Sequence, residues 1–140
     1  MKTLLAGSLG VISLCAELPA GAIIGVNFSG INLSETFSLG TGEVPSDMGM
    51  AVGPAQIVQL ENGAYQVYST AGVAQGSIAT DKVFWQNAGL SIGGGGAGLG
   101  DPRVVYDQGS GRFFASEITT SNLGNQVLIA VSKDSNPMDG

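Results

Sequence analysis

The chain has 140 residues, 44% hydrophobic and 11% charged, which is a one-domain length with too much apolar content for a disordered segment. Its net charge of −6, with only five Lys and Arg, argues against a phosphate backbone and hence against nucleic acid as a partner. The lack of histidine removes the usual general base, the commonest metal ligand and any Ser-His triad.

Residues 1–22 have the three parts of a secretory signal peptide. Lys2 supplies a short basic start, and Leu4 to Ala16 form an apolar stretch too short to span a bilayer. Pro19 then precedes the small-x-small run Ala20-Gly21-Ala22. This predicts cleavage after Ala22, a secreted or cell-surface protein, and no membrane span in the mature chain. The alternative is an uncleaved anchor or a buried strand. Cys15, the only cysteine, follows Leu14, whereas a lipoprotein signal needs a small residue there. Cleavage after Ala22 would leave no thiol for a disulfide or a Cys-based metal site.

Residues 23–44 (IIGVNFSGINLSETFSLGTGEV) alternate Ile, Val and Phe with Asn, Ser and Gly, predicting an extended lead-in or edge strand. Asn27-Phe28-Ser29 and Asn32-Leu33-Ser34 match the N-glycosylation pattern, which has meaning only in a eukaryotic secretory pathway. Residues 45–54 (PSDMGMAVGP) carry Pro, Asp and Gly throughout and predict a structured loop, with Asp47 as a turn former. Residues 55–70 (AQIVQLENGAYQVYST) set two β-rich runs around Asn62-Gly63. That dipeptide predicts a hairpin, because a type I′ turn needs positive φ at both central residues. Ile57 and Gln59 are expected on one face, and Val58 and Leu60 on the other. Tyr65, Val67 and Tyr68 carry the return strand, which leads to a further turn at Ala71-Gly72.

Val83-Phe84-Trp85 is the largest apolar cluster of the mature chain, and Trp85 is expected as a core plug rather than a ligand platform. GGGGAGLG at 93–100 lacks the Gly-Lys-Ser/Thr of a phosphate loop and reads as a flexible connection. Val104-Val105-Tyr106 predicts a strand and Gln108 to Gly111 a tight turn. Arg112 to Ile118 forms the return strand, with Phe113 and Phe114 on opposite faces. Ser121 to Asn125 is a second turn. Val127 to Ser132, a continuous apolar run, is expected as a buried central strand, and 134–140 (DSNPMDG) as a turn. Short strands recur with no helical period, so the expected class is all-β and antiparallel: a sandwich, a barrel or a propeller.

Four segments taken in order, VPSDMGMAVGPAQIVQLENGAYQVYSTAG, VFW, DPRVVYDQGSGRFFASEI and VLIAVSKDSNP, resemble the front end of large secreted bacterial proteins predicted to be β-propellers. Many of those carry a C-terminal sorting signal of the PEP-CTERM kind. The resemblance covers about residues 44–140. It implies a signal peptide at 1–22, a lead-in at 23–44, and a partial β-propeller of about one and a half blades at 45–140. Two departures stand out. The family's Asp-Pro after the last strand is Asn136-Pro137 here, and no sorting tail follows. What the resemblance implies for function is an extracellular or cell-surface module, binding or structural, without an assigned reaction. A carbohydrate or a cell-surface or matrix protein is the partner class that goes with it.

Asp101-Pro102 resembles the Asp-Pro that supplies a catalytic carboxylate in five-bladed glycosidases acting on furanosides or arabinans. Glycoside hydrolysis needs two carboxyls, and Glu117 is the second candidate within the segment. The bland reading makes Asp101 a cap that ties neighbouring backbone amides. Tyr106 to Phe113 resembles part of the Asp-box turn of sialidase-like propellers, with Arg112 able to pair with Asp107 across the turn. Asp134, Asn136 and Asp139 suggest a calcium loop at a glance. Their spacing departs from the twelve-residue loop, Pro137 intrudes and no closing Glu follows, so an Asx-type turn competes.

Overall fold

A computed structural model describes residues 25–92, 98–120 and 126–139. The expected signal peptide with its cleavage point, the glycine-rich residues 93–97 and the expected turn at 121–125 lie outside the described residues. The all-β expectation holds: among the described residues seven strands form two antiparallel sheets, with one short helix before the first sheet and another between the two.

The lead-in is not a strand. Helix α1 (Leu33–Ser38) forms inside it because Asn32 and Glu35 make a capping box. The Asn32 Oδ1 accepts from the N–H groups of Ser34 (3.0 Å) and Glu35 (3.2 Å), and the Glu35 carboxylate accepts from the Asn32 N–H (2.9 Å). Those bonds satisfy amides that a six-residue helix leaves open, and they outweigh the weak alternation of the segment. Asn32 thus serves as a cap.

The first sheet has the order β1 (Met48–Val52), β2 (Gln56–Glu61), β3 (Ala64–Ser69), β4 (Ala74–Ala79). The expected loop at 45–54 therefore contains β1, which runs from Met48↔Glu61 to Val52↔Ile57 against β2. Its glycine does not mark a loop. A Cβ on Gly49 would lie 2.8 Å from the Val104 N and 3.0 Å from the Arg103 Cα, so glycine there lets a strand of the second sheet approach closely. The Asn62-Gly63 hairpin forms with Glu61 opposite Ala64. Only Gly63 has positive φ (+85°), so the turn is not type I′.

Helix α2 (Asp81–Asn87) follows, capped by Thr80, whose hydroxyl accepts from the Val83 N–H (3.2 Å). Val83-Phe84-Trp85 is thus helical. Trp85 is fully buried against Leu99 and Leu128, as a core plug should be. Phe84 stacks on Tyr65 with centroids 4.8 Å apart, so α2 bridges the two sheets.

The second sheet has the order β5 (Gly98–Asp107), β6 (Arg112–Thr120), β7 (Val127–Val131). Gly98, Leu99 and Gly100 belong to β5 and not to a flexible connection. The 108–111 turn forms as expected, with Asp107 opposite Arg112 and Gly111 at φ +67°. β7 is an outer strand, not a central one: Leu128 is buried, while Val127, Ile129 and Val131 are exposed. An uncharged run suits a strand wherever it lies, and its place in the sheet is set by which strands find it.

β5 packs against β1 and β2. Ala51, Val58, Val67, Val104 and Phe113 form the core between the sheets, with Tyr65 and Tyr106 at its margin. The opposite face of the first sheet is covered by the 28–39 segment. The Ile31 N–H donates to the Gln59 Oε1 (3.0 Å), and Phe28 stacks on Tyr68 at 5.0 Å. Ile57 and Gln59 therefore share one face, and Val58 and Leu60 the other, as the alternation predicts; all four are buried.

Candidate functional site

Two features stand apart from ordinary sheet packing. The first is an apolar cleft of about 670 Å³ between the sheets, reached beside β4 and β7. Val67, Phe84, Leu90, Ile129 and Met138 line it, with Gln75, Ser77, Asn87 and Ser132 as its polar groups. The Gln75 Oε1 is buried there without a partner among the described residues. A cleft of this size with few polar groups is the usual form of a small-ligand pocket.

The second is a buried polar cluster under α2. β6 alternates, so Phe113, Ala115, Glu117 and Thr119 all point inward. Glu117 is 1% exposed, and its Oε2 accepts from the Trp85 Nε1–H. Its Oε1 and the Asn62 Oδ1 are buried without partners among the described residues. Burial pushes the Glu117 carboxyl up to about 8. The indole lowers it in part, and the charges of Asp81 and Glu43 raise it further. Glu117 is therefore protonated at neutral pH. Asp81 lies in the same region, accepting from the N–H groups of Gly63 (2.9 Å) and Lys82 (2.6 Å). Burial raises its carboxyl too, against the pull of those two amides.

Asp101 does not open its strand. It sits within β5 at a bulge between Gly100 and Arg103, with φ +54°, the one described non-glycine residue in the left-handed region. The bulge sets Asp101 and Pro102 against Glu117 in the ladder. Pro102 is buried like Glu117, whereas Asp101 is exposed. One carboxyl of the candidate pair lies in solvent and the other in the core. A glycosidic bond cannot lie between them unless the core opens. The charged neighbours of Glu117 are Asp81 and Glu43, not Asp101.

Asp107 belongs to its own turn. Its carboxylate accepts from the N–H groups of Ser110 (2.8 Å) and Gly109 (3.3 Å), and these bonds, with the Ser110 hydroxyl first, hold it below the usual carboxylate range. The turn amides, rather than Arg112, take up this charge. Near Asp139, which joins only through its backbone N–H to the Asn136 carbonyl (3.4 Å), the side-chain oxygens of Asp134 and Asn136 also bind the local backbone. The Asp134 Oδ1 accepts from the Asn136 N–H (2.8 Å), and the Asn136 Oδ1 from the Met138 N–H (3.2 Å). This is the geometry of successive Asx turns. Among the described residues no three acidic, Cys or His side chains gather around one point.

Reasoning from sequence pointed to Glu117, to Trp85 as a core plug and to Asn62 as a turn residue, but missed Asp81, the buried Asn62 Oδ1 and the hydrogen bond that Trp85 gives Glu117. The Thr80-Asp81 pair ahead of an apolar run is a helix-start signal that would have placed Trp85 on a helix. Nothing local shows that this helix lands on β6. Comparison of the chain with family models, curated proteins and solved structures gives no match.

Proposed function

We propose that residues 45–139 are two consecutive sheets of a β-propeller-type module, exported to the cell surface or medium, which binds or scaffolds and carries no reaction of its own. The observation that carries this reading is the common seam of the two meanders. Each sheet runs up and down with neighbouring strands adjacent in sequence. β1 and β5, the first strand of each, pack together, and the cleft opens toward β4 and β7. Blades that radiate from a shared centre have this arrangement. The leader-like residues 1–22 support export. The burial of Glu117 against Trp85, away from the exposed Asp101, supports a structural role for both candidate carboxyls. The partner class that suits such a module is a carbohydrate or a surface or matrix protein.

The test is to express the full-length chain in a secreting host, fractionate the cells and incubate the product with arabinan and furanoside substrates. A processed chain beginning at Ile23 in the medium or on the surface, with no glycan cleavage, is expected. Cleavage activity abolished by Asp101→Asn with thermal stability unchanged would overturn the non-catalytic reading. An unprocessed chain that stays in the cytoplasm would overturn export.

A further inference from the structure

The apolar cleft of about 670 Å³ has walls from three parts of the chain. Val67 and Phe113 of the inter-sheet core border it from the two sheets, and Phe84 borders it from α2. The third wall is the 134–139 segment, which crosses from the end of β7 to the first sheet. There the Gln56 Nε2 donates to the Asn136 Oδ1 (3.3 Å), and the Met138 Cε lies 3.7 Å from where a Cβ on Gly76 would stand. The Asx turns at Asp134 and Asn136 fix that crossing, so Pro137 and Met138 border the cleft.

The lining decides what such a space can hold. Among the described residues no charged side chain borders it, and burial pushes the Tyr65 hydroxyl up to about 12, so that group is neutral too. An ionised ligand would leave water for apolar walls without a counter-charge. A sugar would need a partner for each hydroxyl, and the cleft has few to give. The Ser132 hydroxyl is already engaged, donating to the Asp134 carbonyl (2.6 Å) and accepting from the Phe113 N–H (2.9 Å). Gln75 is different. It pairs with Val67 in the ladder, so its side chain turns to the same inner face. Its Oε1 is buried without a partner among the described residues. Gln75 as a whole is half-buried and its terminal amide torsion is soft, so a small turn presents this acceptor to a donor in the cleft. A donor there removes the cost of an unmet acceptor. We propose that the cleft binds a neutral, mostly apolar small molecule with one hydrogen-bond donor, a phenol or an aryl alcohol by class, its donor meeting the Gln75 Oε1. The site is built from the two sheets, α2 and the 134–139 segment, so it stands or falls apart from export and from the propeller reading.

The experiment titrates the full chain at pH 7 with the dye N-phenyl-1-naphthylamine, which is neutral, carries one N–H and brightens in apolar surroundings. The bound dye is then displaced with 1-naphthol, 1-methoxynaphthalene or 1-naphthoate. The parent is expected to brighten the dye saturably. 1-Naphthol is expected to displace it about fivefold more tightly than 1-methoxynaphthalene, the worth of one hydrogen bond, with 1-naphthoate the weakest. Gln75→Leu is expected to bind the dye and to lose the preference for naphthol over its methyl ether. Ser77→Trp, at an exposed position of β4 that borders the cleft, is expected to abolish dye binding with the parent far-ultraviolet spectrum kept. Asn87→Trp, exposed at the end of α2, replaces it if that variant unfolds. Four results overturn the proposal. They are no saturable brightening, dye binding that a folded Trp variant leaves unchanged, naphthoate displacing as well as naphthol, and a naphthol preference absent from the parent or surviving in Gln75→Leu.

Discussion

Replacing Glu117 by Gln removes the one strongly perturbed carboxyl of the core while keeping its shape. In the folded chain Glu117 holds its proton up to about pH 8, against an ordinary value of 4.5. Below pH 4.5 both folded and unfolded chains carry the proton, and the favourable contribution is complete. Between 4.5 and 8 the unfolded chain releases it and the folded chain does not, so stability falls as pH rises. At ~1.4 kcal/mol per pH unit, the gap amounts to roughly 5 kcal/mol by pH 8. That is a large part of the 5–15 kcal/mol or so that holds a typical domain together. Trp85, the only tryptophan, is fully buried and donates to this carboxyl, so its fluorescence reports unfolding at the site. Urea titrations at pH 5, 6.5 and 8 should show the parent losing several kcal/mol over the range. Glu117→Gln should match it near pH 5, exceed it at pH 8 and show a much flatter dependence. Glu61 and Asp81 are raised in the same direction, chiefly by burial, and leave a residual slope in the variant. A parent whose stability is flat or rises from pH 5 to 8, or a variant with the same slope as the parent, would refute the buried-acid account.

Three further outcomes follow from backbone geometry. Gly49→Ala brings a Cβ within 2.8 Å of a backbone atom of β5 and should cost about 1–3 kcal/mol in a thermal melt, by forcing the sheets apart at their seam. Gly63→Ala combines φ +85° with a contact 2.5 Å from the Thr41 Cβ. Its cost should be about 1–2 kcal/mol, seen as faster amide exchange across the β2–β3 hairpin. Asp101→Gly relieves the left-handed strain of a residue with a side chain and should leave the protein more stable by about 1 kcal/mol; destabilisation would mean that the carboxylate holds the bulge.

The elements that local chemistry sets were legible without a structure. Asn62-Gly63 turns the β2–β3 hairpin, Asp107 to Gly111 turns β5 into β6, and the period-two pattern put Phe113 and Phe114 on opposite faces, because turn geometry and strand alternation involve only neighbours along the chain. The cap that makes α1 was equally local, in the Asn32–Glu35 spacing, but the alternation around it spoke for a strand. Tertiary structure decided the rest. Met48–Val52 became a strand because β2 pairs with it, although its Pro, Asp and Gly content suggested a loop. Val127–Val131 became an outer strand because β6 alone pairs with it among the described residues. Glu117 left solvent because α2 lays Trp85 over β6, 32 positions away in sequence. Alternation and turn propensity act over a few residues. Burial, strand order and the proton on an acid depend on which distant segments meet, and no short window of sequence encodes that meeting.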